Sequence, residues 1–242
     1  MNYEIRQIPA EQTKDWLLNK HYAHRMPVIS YAFGLYDNNN DLQGVCTFGM
    51  PCCQMTDGNC IFNNTNYKEE KGEFKVKTLE LNRLVINENL PKNTLSFFVS
   101  QCIKLLPKPM CLVSFADPTN GHHGYIYQAT NWIYTGTGEL GGKSVNFILN
   151  GKDYHGKSIT ELQMKKMGMK YNISKTLKQN WVDNGGIIKE QERKHRYFMF
   201  LGNKKQKTEM KMKLKYPILP YPKGDNKRYD ASYQPKINKT LF

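Results

Sequence analysis

The stretch 114-SFADPTNGHHGYIYQATNWIYTG-136 decides how this chain folds. It continues an apolar run over residues 110–116 that stops at Asp117-Pro118. Pro118 has no N–H to give a ladder and turns the residue before it away from helix, so a strand is predicted to end at Asp117. Thr119 or Asn120 is then placed to cap a short helix through His122, His123, Tyr127 and Ala129, and Trp132-Ile-Tyr-Thr135 restarts a β-type run. In open α/β sheets ligands bind outside the strand C-termini. Here that edge carries Asp117, two imidazoles and the phenols of Tyr125 and Tyr127 within eleven residues.

Upstream, residues 10–20 have the apolar spacing of a short amphipathic helix ending near His21-Tyr22. Two β-type runs follow, 28–36 and 42–49, around the turn Asp37-Asn-Asn-Asn-Asp41. Residues 50–75 read as a long polar loop. Residues 77–86 form a third strand with Leu79 and Leu81 toward the core, and Asn93 or Thr94 caps an apolar helix over 95–106 closed by Pro107 and Pro109. Downstream, 144–150 is a strand, 157–182 one or two helices with a capping box over 158–161 and a break at Gly168, and 194–201, KHRYFMFL, the final strand. A hairpin needs antiparallel pairing and strand–helix–strand a parallel crossover, so the sheet is mixed and splays where its parallel strands part. The expected class is α/β (α+β). Residues 1–202 make a catalytic domain, with 151–193 a helical insertion and 194–202 its last strand, and residues 203–242 a basic tail.

The chain has 242 residues and 39% apolar content, enough for one substantial core. No apolar run reaches the ~18 residues of a membrane span, and residues 1–16 lack a basic flank and a hydrophobic signal region, so a soluble intracellular protein is expected, without a membrane partner. Cys46, Cys52, Cys53 and Cys60 contain no C-x-x-C pair, and Cys102 and Cys111 lie in apolar runs as small hydrophobes. Net charge is +14. Residues 203–242 hold eleven Lys or Arg and three acids, +8, leaving +6 for the rest. With four tyrosines and four prolines interleaved, this segment is expected to run extended against a polyanion. Lys204, Lys205, Lys207, Lys211, Lys213, Lys227 and Arg228 are candidate phosphate contacts, releasing counterions from nucleic acid. His122 and His123 are further candidates, with His24 beside them, while His155 and His195 read as structural.

This order of elements resembles the GNAT acyltransferase fold. The pair His21-Tyr22 in NKHYAHRMP, together with FADPTNGHHGYIYQATNWIYTGTG, resembles the phage Mom family of DNA-modification proteins, over about residues 5–150 and the strand KHRYFMFLG. The resemblance implies conversion of adenine in double-stranded phage DNA to a form carbamoylmethylated at the exocyclic nitrogen. That shields the DNA from host restriction, in the cytoplasm of the infected bacterial host. The positions it implies as catalytic are His21, Tyr22, Asp117 and Tyr127, with Arg83 of ELNRLVI a further candidate.

An ordinary GNAT enzyme holds the coenzyme A pyrophosphate on a glycine-rich loop before its central helix. The corresponding segment here, ENLPKNTLS, has no glycine, which puts acetyl-coenzyme A in doubt and leaves the small-molecule donor unknown. Lys92, Asn93, Thr94 and Ser96 remain able to hold an anion at the helix start. The family's unusual donor chemistry implies iron, for which His21 and Asp117 with a second His or Tyr would be ligands. Alkylating the amine of adenine removes a proton from it. Asp117 or His21 could take that proton, His21 being the better base by its ordinary titration range, while Tyr22 and Tyr127 could donate to an oxyanion or leaving group. The base must be extruded from the duplex. Tyr125, Trp132 and Phe115 read as core rather than as a platform for it. The rivals are a GNAT-like transferase acting on a modified pyrimidine in DNA, a protein amine or a small molecule, and a non-catalytic DNA-binding anti-restriction protein with residues 157–200 as a helical reader. Oligomeric state is not encoded legibly.

Overall fold

The computed structural model describes residues 3–51, 61–63, 76–138 and 145–224. Cys52, Cys53, Cys60, most of the 50–75 loop, Lys227 and Arg228 lie outside the described residues, as do the side chains of Asn120 and His155. In chain order the elements are β1 (Glu4–Gln7), β2 (Tyr31–Tyr36), β3 (Leu42–Gly49), β4 (Lys77–Ile86), α1 (Thr94–Leu105), β5 (Met110–Ala116), α2 (Tyr125–Ala129), β6 (Ile133–Thr137), β7 (Val145–Leu149), β8 (Lys152–His155), α3 (Glu161–Lys166), α4 (Leu177–Asp183), β9 (Ile187–Glu190), β10 (His195–Leu201) and α5 (Lys204–Lys213).

The main sheet runs β1-β2-β3-β4-β5-β10-β6. Among the described residues only β4 and β5 pair in parallel, and their register, from Lys77 opposite Met110, ends at Glu80 opposite Val113. Both strands run on, β4 to Ile86 and β5 to Ala116, so the sheet parts between them. This is the mixed, splayed sheet that the hairpin and the crossover require. One face is covered by α1, whose Phe98, Val99 and Cys102 pack on Leu79, Leu81, Leu112 and Tyr197. The opposite face is covered in two places. Trp16 and Leu17 lie on Ala32, Val45 and Val85, and Met210 of α5 lies with Leu214 on Cys111, Val113, Phe198 and Phe200. Alternation of Leu112 with Cys111 and Val113 between the two layers is the period-2 pattern of a strand buried on both faces.

Several expectations are revised. Residues 10–20 form not one α-helix but a 3₁₀ turn, Ala10–Thr13, and a π turn, Trp16–Lys20, closed by His21 N–H donating to the Trp16 carbonyl. The helix after Asp117 is likewise split into a 3₁₀ turn, Pro118–Asn120, and α2, because Gly121 and Gly124 take positive φ between them. Asp117 itself is the cap, accepting from the Thr119 N–H at 3.0 Å. Asn93 precedes α1 in the left-handed region without a side-chain cap, and the Thr94 hydroxyl donates to the Pro91 carbonyl. The insertion is not purely helical: β8-β7-β9 form a small sheet that packs with α3 and α4 around Phe147, Met164 and Trp181. Its caps are Thr160 and Thr176, not Ser158. The basic tail begins as a helix, α5, anchored by Met210, and residues 217–224 after it lie in no helix or strand.

Candidate active site

The parted strands and the turn after β5 bring the expected residues to one place. The π turn ends at His21, whose backbone reverts to extended, and His21 is 5% exposed. Its ring stacks on Tyr22 at 4.4 Å, and His122 meets Tyr22 edge-on at 5.3 Å. A β-bulge brings Arg83 to the same side. Phe48 pairs with Leu81 and Thr47 with Arg83, so Asn82 is the extra residue, and it turns Arg83 onto the face opposite Leu81. Asn82 is held there by its own side chain, which accepts from the Thr47 hydroxyl and donates to the Val28 carbonyl. Arg83 donates from Nη1 to the Asn82 carbonyl at 2.6 Å, while its buried Nε has no acceptor among the described residues.

Asp117 is 3% exposed and pairs with Lys194 at 3.2 Å. The antiparallel register explains the pair: His195 lies opposite Ala116, which puts the preceding lysine opposite the following aspartate. On the α1 face Ser114 sits between Tyr127 and Leu81, its oxygen 2.7 Å from each partner oxygen. The Leu81 carbonyl can only accept, so it takes the serine proton, and the Tyr127 hydroxyl donates to Ser114.

Electrostatics join these groups. Burial pushes His21 down to about 3, helped by Arg83, His122, His24 and Arg25, so it is neutral at ordinary pH. Its Nδ1 accepts from the Ala23 N–H at 3.1 Å, which places the ring proton on Nε2. As placed, His21 is a hydrogen-bond donor and a poor base, contrary to the role its ordinary titration range favours. Burial, then the charge of Asp117, raises Tyr22, keeping the phenol protonated. Burial also lowers Arg83, with Arg25 adding to the effect and Tyr22, Glu80 and Tyr127 opposing it. Tyr127 is raised chiefly by burial, and its proton is committed to Ser114.

Other candidates lie apart. His123 turns away from Asp117 toward His195, at 3.4 Å, and His195 meets the Tyr134 hydroxyl at 2.9 Å, a structural role. His24 contacts the Leu18 carbonyl. Trp132 is core and Phe115 packs beside a core cluster, but Tyr125 is exposed. At the start of α1, Ser96 donates back to the Asn93 carbonyl as Thr94 does to Pro91, so both hydroxyls serve their own turn, while Lys92 is exposed. Lys204, Lys205, Lys207, Lys211 and Lys213 all stand exposed on α5. Sequence reasoning passed over Ser114, Lys194, Glu80 and Arg25. Ser114 reads as strand core, and the other three as ordinary surface charges.

The donor set does not make a metal centre. His21 Nδ1 is engaged with a backbone N–H and Nε2 carries the proton, so the ring offers no lone pair to a cation. Among the described residues no three His, Cys, Asp or Glu side chains are grouped to hold an ion.

A mixed sheet whose parallel pair parts toward a buried carboxylate and a bulge-directed arginine places the chain in the α/β (α+β) class. Within it the chain belongs to the Mom protein family, which it matches over residues 2–223. It is 26% identical over 232 residues to the protein named methylcarbamoylase mom of Escherichia phage Mu, covering 92% of this chain and 87% of that one. A solved structure described as histone acetyltransferase HPA2 and related acetyltransferase, from Corynebacterium glutamicum, overlays with a TM-score of 0.41 at 8% identity, over 84% of this chain and 98% of that one.

Proposed function

We propose that this protein is a phage DNA-modification transferase that converts adenine in duplex DNA to an N6-carbamoylmethyl-type derivative, protecting the DNA from restriction in the host cytoplasm. The observation that carries this reading is the buried Nε of Arg83, which has no partner among the described residues, in a cleft shared with His21, Tyr22 and Asp117, in a member of the Mom protein family. A buried donor without a partner costs about 1–3 kcal/mol, which an acceptor on a bound molecule recovers. The carboxamide oxygen of a carbamoylmethyl group is such an acceptor. In this reading the extruded adenine presents its amine to Asp117. As the N6–carbon bond forms, the donor's leaving group departs with its electron pair and the amine proton passes to the carboxylate, which has acceptor sites beyond those used by Lys194 and Thr119. Tyr22 and the Nε2–H of His21 serve as donors toward the leaving group. The donor itself is a small molecule. Mass spectrometry of nucleosides from DNA of cells expressing the protein tests catalysis and product together. Unmodified deoxyadenosine throughout would overturn the proposal.

A further inference from the structure

At the far end of β5 and β10 from Asp117 lies a groove of about 480 Å³, lined by the C-terminal end of α1, the start of β6, the end of β10 and one side of α5. β10 gives the separation. Lys194 at one end touches Asp117, and Leu201 and Gly202 line the groove at the other, about 23 Å away at ~3.3 Å per residue. The groove is therefore not part of the site already described. Four of its lining residues are Lys104, Lys108, Lys207 and Lys211, and none is Asp or Glu.

Two ordinary explanations cover only part of this. β6 covers β10 as far as Phe198, opposite Ile133, so Met199–Leu201 form an uncovered strand edge, and lysine beside such an edge discourages pairing with other chains. Lys104 also lies in the last turn of α1, where the helix carbonyls favour a cation. Neither reason brings Lys207 and Lys211 in from α5. Those two are four apart, on one side of a helix whose acid, Glu209, is already paired with Lys213. Four ammonium groups directed into one groove repel each other, and a line of phosphates removes that repulsion. Lys204 and Lys205 continue the charge along α5, so the feature is a ridge and groove rather than a closed pocket for one compact anion.

We infer that this groove and the lysine face of α5 grip the phosphate backbone of the same duplex whose base enters the Asp117 site, about 7 base pairs away at ~3.4 Å per pair. This inference rests on duplex DNA being the substrate. Phosphate contacts position the duplex without reading its sequence.

The test compares the full chain with the variant K104Q/K108Q/K207Q/K211Q, all four lysines being exposed. The control is K165Q/K166Q/K175Q/K178Q, with the same charge change on the insertion. Binding to a long duplex is followed by fluorescence anisotropy against salt. The groove variant should lose at least tenfold in affinity, and its log–log salt slope should flatten by about 3–4, at ~0.9 per phosphate contact. The wild type should weaken when the duplex is cut to fewer than about 7 pairs beside the target, and the groove variant should not respond to that cut. An unchanged slope in the groove variant, or an equal loss in the control, overturns the inference. So does calorimetry in which the variant loses inorganic pyrophosphate binding but keeps duplex binding, since the groove would then serve a free phosphate ligand. A wild type that binds no duplex defeats instead the proposed function.

Discussion

Ser114 donates its hydroxyl proton to the Leu81 carbonyl at 2.7 Å, one residue past the last rung at which β4 and β5 pair. The side chain thus replaces the ladder bond that the parting strands give up, so the cleft opens without leaving that carbonyl bare. The same oxygen receives the Tyr127 hydroxyl, at 2.7 Å, and locks α2 against the opening. One consequence is functional. Of the two phenols at the cleft, Tyr127 is a strut, its proton committed to Ser114.

Ser114→Ala should therefore destabilise the fold out of proportion to the one atom removed. It leaves the Leu81 carbonyl and the Tyr127 hydroxyl both buried and unpartnered, at about 1–3 kcal/mol each. Tyr127→Phe removes a single donor and should cost about 1 kcal/mol. Urea midpoints measure both, and a Ser114→Ala variant that unfolds at the wild-type midpoint would remove the strut.

Arg83→Met should abolish product while leaving stability unchanged or raised. The substitution keeps an apolar stem and deletes a guanidinium that burial opposes and whose Nε has no partner among the described residues. Thermal melting and nucleoside analysis on one preparation check the two halves. A large fall in melting temperature would mark Arg83 as structural, and undiminished product would dismiss it from the cleft.

How far the sequence reveals this arrangement depends on whether a local rule governs each part. Asp117-Pro118 obeys one, since proline ends a central strand, and β5 does stop at Ala116. His21-Tyr22 is legible as the end of an amphipathic segment, but the π turn that aims it is not, because no residue there breaks an α-helix. Ser114 and Lys194 act through register, which exists only once β10 lies beside β5. β8 and β9, KDYH and IIKE, are too short and too polar to announce strands. α5, KKQKTEMKMK, lacks an apolar stripe and reads as tail, since Met210 alone is buried.

The pH dependence of stability should carry the mark of His21. Its folded value, about 3, lies below the unfolded value of 6.5, so the unfolded chain binds the proton first. The stabilisation is complete above pH 6.5 and is lost as pH falls from there toward the folded value, at up to about 1.4 kcal/mol per pH unit. Burial lowers His122 and His195 too, so the comparison must be made against one variant at a time. Between pH 6.5 and 5, above the ordinary carboxylate range, His21→Gln should show a shallower loss than wild type in urea unfolding. Parallel curves would mean that His21 does not stay neutral in the folded protein.

Asp117 and Lys194 separate a catalytic from a positioning role. Asp117→Asn keeps the size and an acceptor for the Thr119 N–H but cannot take a proton near neutral pH, so product formation should fall by about 100- to 10,000-fold with little change in DNA binding. Lys194 touches the carboxylate through Oδ2 from a half-buried position and has no need to reach the substrate. Lys194→Gln should leave substrate affinity nearly intact and lower the turnover rate less than Asp117→Asn does, because it removes a partner that holds the carboxylate in place but leaves the carboxylate itself. Lys194→Arg, which keeps the cation, should restore the rate. If Lys194→Gln lowers the rate as far as Asp117→Asn does, or Lys194→Arg fails to restore it, the lysine does more than position the carboxylate and the division of roles is wrong.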